Sequence, residues 1–187
     1  MVPFQLVVAA AEAARSVTEP EAALDAVTAL AYEHVGDRSA PILPGALREG
    51  EHQFFVCGVF LHDEGARRSV LVAEHGFPSE QHRLAIADDL GHPGWVVANQ
   101  RPLVLENTDE HSGFKQILKT ARMGSAMYAP MFIGGRFVGQ LILAAQARNT
   151  FRATDLDALA ALASVAVLAY RDAGGPQWFN GLTESLG

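Results

Sequence analysis

The sequence predicts an α+β domain: a mainly antiparallel sheet with the long helices of the two chain ends on one face and two short helices on the other. Three observations predict it. Alanine-rich, helix-periodic segments lie at the ends, before Gly36 and after Thr154. Runs rich in aromatic and β-branched residues fill the middle, from Gln53 to Ala145. Short turns join two pairs of those runs, which makes sequence neighbours sheet neighbours.

Each element has its own signal. Val7 to Arg15 is alanine-rich and has high helix propensity. Thr18 suits the N-cap of the next helix, Pro20 its first turn, and Glu21 completes a Thr-x-x-Glu capping box. Leu24, Val27, Ala31 and Val35 then follow the 3.6-residue period until Gly36. Asp37 to Gly50 carries two prolines and two glycines and reads as a long loop. FFVCGVFL and SVLVAEHG are strands joined by the turn HDEGAR, and LAI is a short strand after a polar connection. In GHPGWVVANQRPLVLENTDE, Pro93 opens a helix that runs to about Asn99, Pro102 closes it, and LVL is a short strand. His111 to Thr120 is a second short, partly apolar helix. SAMYAPMFI and RFVGQLILAA are strands joined by Gly134-Gly135, a two-residue loop suited to positive φ. Thr154 and Asp157 form a second capping box, opening a long helix that ends at Gly174-Gly175. The chain divides into an N-terminal helical segment (1–19), a domain (20–172) and a tail or linker (173–187).

Composition excludes several function classes. The 187 residues carry a formal charge of −7, and their basic residues are scattered, unlike the basic footprint of a nucleic-acid binder. The single cysteine, Cys57, excludes an intrachain disulfide and a cysteine-based zinc site, and fits a reduced, cytoplasmic setting. No Lys or Arg precedes the apolar run near the N-terminus, and Glu12 interrupts it, which argues against a secretory signal. The longest uncharged helical run, Ala158 to Tyr170, is shorter than the ~20 residues of a membrane span. No two of the seven histidines stand at i, i+4 on a predicted helix, and there is no HExxH, so no metal site is expected. A nucleophile elbow and a GxxxxGK[ST] phosphate loop are also absent.

From about Pro20 to Tyr170 the chain resembles a GAF domain, the small-molecule-sensing module of many signalling proteins. The resemblance rests on GHPGWVVANQRPLVLENTDEH, on Met123 to Pro130, on GGRFVGQLIL and on FRATDLDALAALASVAVLAY, in that order and spacing. Gln100-Arg101-Pro102 replaces the family's Gly-x-Pro bend, and Asn107 stands where the first loop aspartate often lies, with Asp109 nearby. The resemblance implies a six-stranded antiparallel sheet with a ligand cavity on the face opposite the terminal helices. By the same resemblance the tryptophan-bearing short helix walls that cavity, and the loop and helix carrying Asn107, Thr108, Asp109, His111 and Phe114 cap it.

The expected ligand-binding residues are therefore Trp95, Asn107, Asp109, His111, Phe114, Ser125, Met127 and Met131. Trp95 either seals its helix to the sheet or touches ligand. Ser125 either starts its strand or faces the cavity, with Met127 and Met131 on the same face by alternation. Each loop residue is alternatively plain surface. Cys57 lies mid-strand among apolar neighbours, a setting that keeps a thiol inert. GAF proteins that reduce free methionine sulfoxide use several cysteines, and the bilin-binding ones attach chromophore through a pocket cysteine. One cysteine, outside Ile86 to Pro130, fits neither pattern.

No charge interrupts the last long helix between Asp157 and Arg171. Leu156, Leu159, Ala163, Ala166 and Tyr170 form one stripe, with Leu162, Val165 and Leu168 outside it. A helix apolar on most sides needs cover on most sides, from the N-terminal helix or from the same helix of a second subunit. The expectation is a non-catalytic, small-molecule-sensing regulatory protein. It would form a homodimer through its terminal helices and act on a partner or an output domain. The alternatives are an enzyme using the cavity, which the single Cys57 disfavours for sulfoxide reduction, and a pure dimerisation module. The sequence names neither ligand nor cofactor.

Overall fold

The computed structural model describes residues 3–111 and 123–186. Two helices, α1 (Pro3–Arg15) and α2 (Pro20–His34), precede strands β1 (Phe55–Asp63), β2 (Arg68–His75) and β3 (Ala85–Ala87). Helix α3 (Gly91–Asn99) leads to β4 (Leu103–Leu105) and a single 3-10 turn over Thr108–Glu110. Then come β5 (Ser125–Ile133), β6 (Arg136–Ala145), α4 (Leu156–Asp172) and α5 (Gly175–Leu186).

The strands form one six-stranded sheet in the order β3-β2-β1-β6-β5-β4, with antiparallel pairs throughout. This is the α+β architecture expected. Gly134 and Gly135 both have positive φ, +58° and +81°, and turn β5 into β6. The terminal helices cover one face. Leu24, Val27 and Ala31 of α2 and Leu159, Leu162, Ala163 and Ala166 of α4 pack there against Cys57, Val59, Met127, Leu141 and Leu143, all fully buried. A smaller apolar cluster lies on the other face, where Val96 of α3 meets Phe60, Leu71, Tyr128 and Ile142.

The helix ends differ in detail from expectation. The N-cap of α2 is Glu19, without a side-chain cap bond, and Pro20 supplies the preorganised first turn. At the start of α4 the capping carboxylate is Asp155, which accepts the Arg152 backbone N–H at 2.9 Å. The expected C-terminal tail is helix α5, whose Phe179 is buried and whose Trp178 ring meets Tyr170 edge-on at 6.4 Å. With its preceding turn, α4 makes a 20-residue helical segment, Ala153–Asp172, long and apolar enough to span a membrane by length and composition. The shorter uncharged run had understated it. Here α4 is apolar because it lies between the sheet and two helices: α1 and α2 both pack on it, so part of the cover comes from within the chain.

Candidate functional site

Strand alternation decides which side chains α3 can reach. On β5, Met127, Ala129 and Met131 face the helix layer, while Ala126 and Tyr128 face α3. On β6, Leu141 and Leu143 face the helices, while Gln140 and Ile142 face α3. The wall expected from Ser125, Met127 and Met131 therefore lies on the wrong face. Met127 and Met131 are core residues beneath the helix layer. Ser125 is fully buried as a staple: its Oγ donates to the Leu105 carbonyl at 3.1 Å and accepts the Phe151 N–H at 3.2 Å.

Helix α3 is short, so tertiary contacts must hold it. Gly94 lets its first turn approach the preceding chain, since a Cβ there would lie 2.4 Å from the Asp88 carbonyl oxygen. Gln100 closes the helix in the left-handed region, φ +53°, where glycine would be unstrained. That is the position at which Gln-Arg-Pro replaces Gly-x-Pro. Val96 is the buried anchor, whereas Trp95 is 41% exposed and so does not seal the helix to the sheet.

The polar feature of this face is Gln140. In register it lies between Phe60 of β1 and Pro130 of β5, and it is fully buried. Its Nε2 donates to the Pro93 carbonyl of α3 at 3.2 Å. Because a carbonyl only accepts, that contact fixes the carboxamide's orientation and leaves Oε1 as the other atom. Among the described residues Oε1 has no hydrogen-bond partner. A buried acceptor left unpaired costs about 1–3 kcal/mol. Tyr128, beside it on β5, keeps its proton because burial pushes its hydroxyl pKa up. At the start of α3, burial and then the nearby His111 hold the His92 imidazole below its usual pKa; the two rings stand 6.1 Å apart.

The loop residues are held by one another. Asn107 caps the 3-10 turn, accepting the Asp109 N–H at 3.1 Å and donating to Glu110 at 2.9 Å. Thr108 donates to the Met123 carbonyl at 2.6 Å. Asp109 accepts from Arg48 Nη2 at 2.7 Å and from Arg148 Nε at 2.9 Å. Arg148, 3% exposed, also holds both carboxylate oxygens of Glu51, Nη2 to Oε1 at 3.1 Å, and donates to the Ala46 carbonyl at 3.3 Å. That hydrogen bonding keeps the Glu51 carboxyl below its usual pKa. Asp109 is thus part of a partly buried ionic clamp that holds the 3-10 turn. Phe114 lies outside the described residues. His111 ends the turn beside His92.

Sequence reasoning missed Tyr128, Gln140 and Arg148. The first two had a signal, a polar group amid apolar neighbours on a strand, but the strand's phase was misassigned. No group of three or more potential metal ligands is assembled among the described residues. Cys57 is fully buried, faces the helix layer, and has its thiol pKa pushed up by burial.

The family model of the GAF domain matches residues 42–170. The chain belongs to the GAF domain family. No curated protein matches it. Among solved structures, this GAF chain is similar to the free methionine-R-sulfoxide reductase of Neisseria meningitidis, solved in complex with its substrate (20% identity, 92% of this chain and 90% of that chain covered, TM-score 0.72). It is also similar to the GAF domain of an Acinetobacter phosphoenolpyruvate-protein phosphotransferase (17% identity, 95% and 98% covered, TM-score 0.73). A third likeness is to the reduced free methionine-R-sulfoxide reductase of Staphylococcus aureus (19% identity, 90% and 95% covered, TM-score 0.69). At these identities the likeness establishes the fold. It also corrects the expectation that the chain is not an enzyme: the fold that was taken to imply a sensor houses reductases as well, so a GAF fold carries no exclusion of catalysis.

Proposed function

We propose that this GAF domain binds a small molecule on the α3 face of its sheet, and that the molecule donates a hydrogen bond to Gln140. The observation that carries the reading is the fully buried Gln140 carboxamide, with Nε2 committed to Pro93 and Oε1 without a partner among the described residues. A ligand N–H or O–H satisfies that acceptor, while Phe60, Val96 and Ile142 supply apolar contact around it. Binding braces α3, a helix too short to be stable alone, and so favours one arrangement of the surrounding loops. An NMR titration tests this. Shifts should cluster at the amides of His92 to Asn99, Tyr128 and Gln140; shifts confined to the helix layer would contradict it.

The terminal helices are the proposed route to a partner. Phe4, Val8 and Leu168 are exposed at 78%, 40% and 52%, and a groove of about 650 Å3 runs between α1 and α4. A second copy of the chain seated there would bury this surface. Sedimentation should report a dimer that Leu168→Asp dissociates; a monomeric wild type would remove this part.

A second reading, turnover of the bound molecule, is supported by the similarity to two free methionine-R-sulfoxide reductases. Removing oxygen from a sulfoxide as water takes two electrons and two protons. The chain's one thiol, Cys57, is inaccessible, so the electrons would come from an added reductant. The two protons would come from solvent, with the Tyr128 hydroxyl serving as a hydrogen-bond donor on this face. Methionine formation from free methionine-R-sulfoxide and dithiothreitol, retained in Cys57→Ala, would establish turnover. Unchanged sulfoxide would remove it.

A further inference from the structure

A cavity of about 220 Å3 lies between the β1–β2 turn, the β5–β6 hairpin and α5, and none of its lining residues belongs to α3. Its walls mix polar side chains with aromatic and aliphatic ones, the latter including Phe137 and Val138 from β6 and Phe179 from α5. Phe137 already makes edge contacts with Phe132 at 6.0 Å and His62 at 5.5 Å, so the wall suits a further ring.

Two donors and two carboxylates give the cavity its chemistry. Tyr170 of α4 is 2% exposed, and its ring is pressed by Gly175, where a Cβ would come within 2.2 Å. Among the described residues its hydroxyl has no hydrogen-bond partner, and burial keeps it protonated and therefore a donor. Arg136 opens β6 at the rim and has no carboxylate partner among the described residues. Asp63 is neutralised within the fold, accepting from Arg68 Nε at 3.1 Å and the Ala66 N–H at 3.2 Å. Glu64, exposed on the rim, is the remaining like charge for an anion.

A phenolic donor and a guanidinium with no carboxylate partner among the described residues, beside Phe137 and Phe179, select an anion with a ring. We propose that this crevice binds a small aromatic carboxylic acid, with its carboxylate on Arg136 and the Tyr170 hydroxyl and its ring against Phe137 and Phe179. The volume sets the size: it is below the roughly 300–1,000 Å3 of drug-sized pockets and excludes a nucleotide. Because α5 supplies one wall, occupancy ties α5 to the end of the sheet and couples the site to the terminal helices.

Calorimetric titration of the full chain with benzoate and phenylacetate tests this site, with benzamide and benzylamine as the uncharged and cationic controls. The two acids should bind saturably and the controls should not. Arg136→Ala should weaken the acids at least about tenfold, the loss of a hydrogen bond to a charged group. Tyr170→Phe should weaken them by about threefold or more, and Glu64→Gln should tighten them. Arg136 and Glu64 are exposed, so these two variants should melt like wild type and report binding alone. No saturable binding of either acid, equal affinity for benzamide, or affinities unmoved by both Arg136→Ala and Tyr170→Phe would overturn the site. An affinity that falls in Gln140→Leu but not in Arg136→Ala would assign the acid to the α3 face and overturn it equally.

Discussion

The two faces of the sheet handle their polar atoms differently. On the helix-layer face the buried Thr28 donates to the Leu24 carbonyl at 2.8 Å, and Ser125 both donates and accepts. The rest of that face is apolar and closely covered by α2 and α4. Among the described residues the α3 face carries the smaller apolar cluster and keeps an unpaired acceptor at Gln140. Apolar residues of equal size would stabilise it better. Under the proposed reading, a local rule broken in this way belongs to the face that serves function rather than stability.

Four substitutions or conditions sharpen this contrast. The largest loss should come from the helix-layer face, where Leu162→Ala leaves a cavity beneath α4 and should cost about 2–5 kcal/mol in denaturant unfolding. A loss under 1 kcal/mol would mean that this face is not the stabilising one. Next is the clamp beside the α3 face. Arg148→Met takes the guanidinium from Glu51 and leaves Asp109 with Arg48, both carboxylates being nearly one-fifth exposed, and should cost about 2–3 kcal/mol, below the value for a wholly buried pair.

Acid should then erode stability in two stages. The His92 pKa is lower folded than its ordinary 6.5, so below that pH the unfolded chain binds more protons and stability falls. The Glu51 pKa is also lower folded than its ordinary 4.5, so its contribution is present above that pH and is lost as pH falls through the folded value. Melts of His92→Gln should lack the first decline and those of Glu51→Gln the second. Identical pH profiles for wild type and both variants would contradict the assignment.

The smallest effect on stability belongs to Gln140→Leu. Removing the orphan acceptor offsets the lost bond to Pro93, so unfolding free energy should stay within about 1 kcal/mol of wild type. A large loss would make Gln140 a structural residue.

These contrasts also define what the sequence could reveal. Local signals were sufficient for the strands, the Gly134-Gly135 turn and the start of α3, because hairpin chemistry and proline act over a few residues. The phase of β5 was not legible. Met127 and Met131 alternate with Ala126 and Tyr128, both sets are buried, and alternation alone cannot say which set meets the helices. The Arg148 clamp was invisible for another reason: its partners lie 97 and 39 residues away. Helix α5 was read as a tail because its Gly-Gly-Pro start signals a break, while its packing on α4 is tertiary. Trp95 drew attention as a large aromatic, yet the smaller Val96 is the anchor of its helix.

The central claim is that the α3 face receives a small molecule through Gln140. The most direct measurement is a thermal-shift comparison of wild type and Gln140→Leu against nucleobases, primary amides and amino acids, methionine sulfoxide included. At least one compound should stabilise the wild type, by about 2.7 kcal/mol at a hundred times its Kd, and leave Gln140→Leu unmoved. No stabilisation by any compound, or equal stabilisation of both proteins, would contradict the claim.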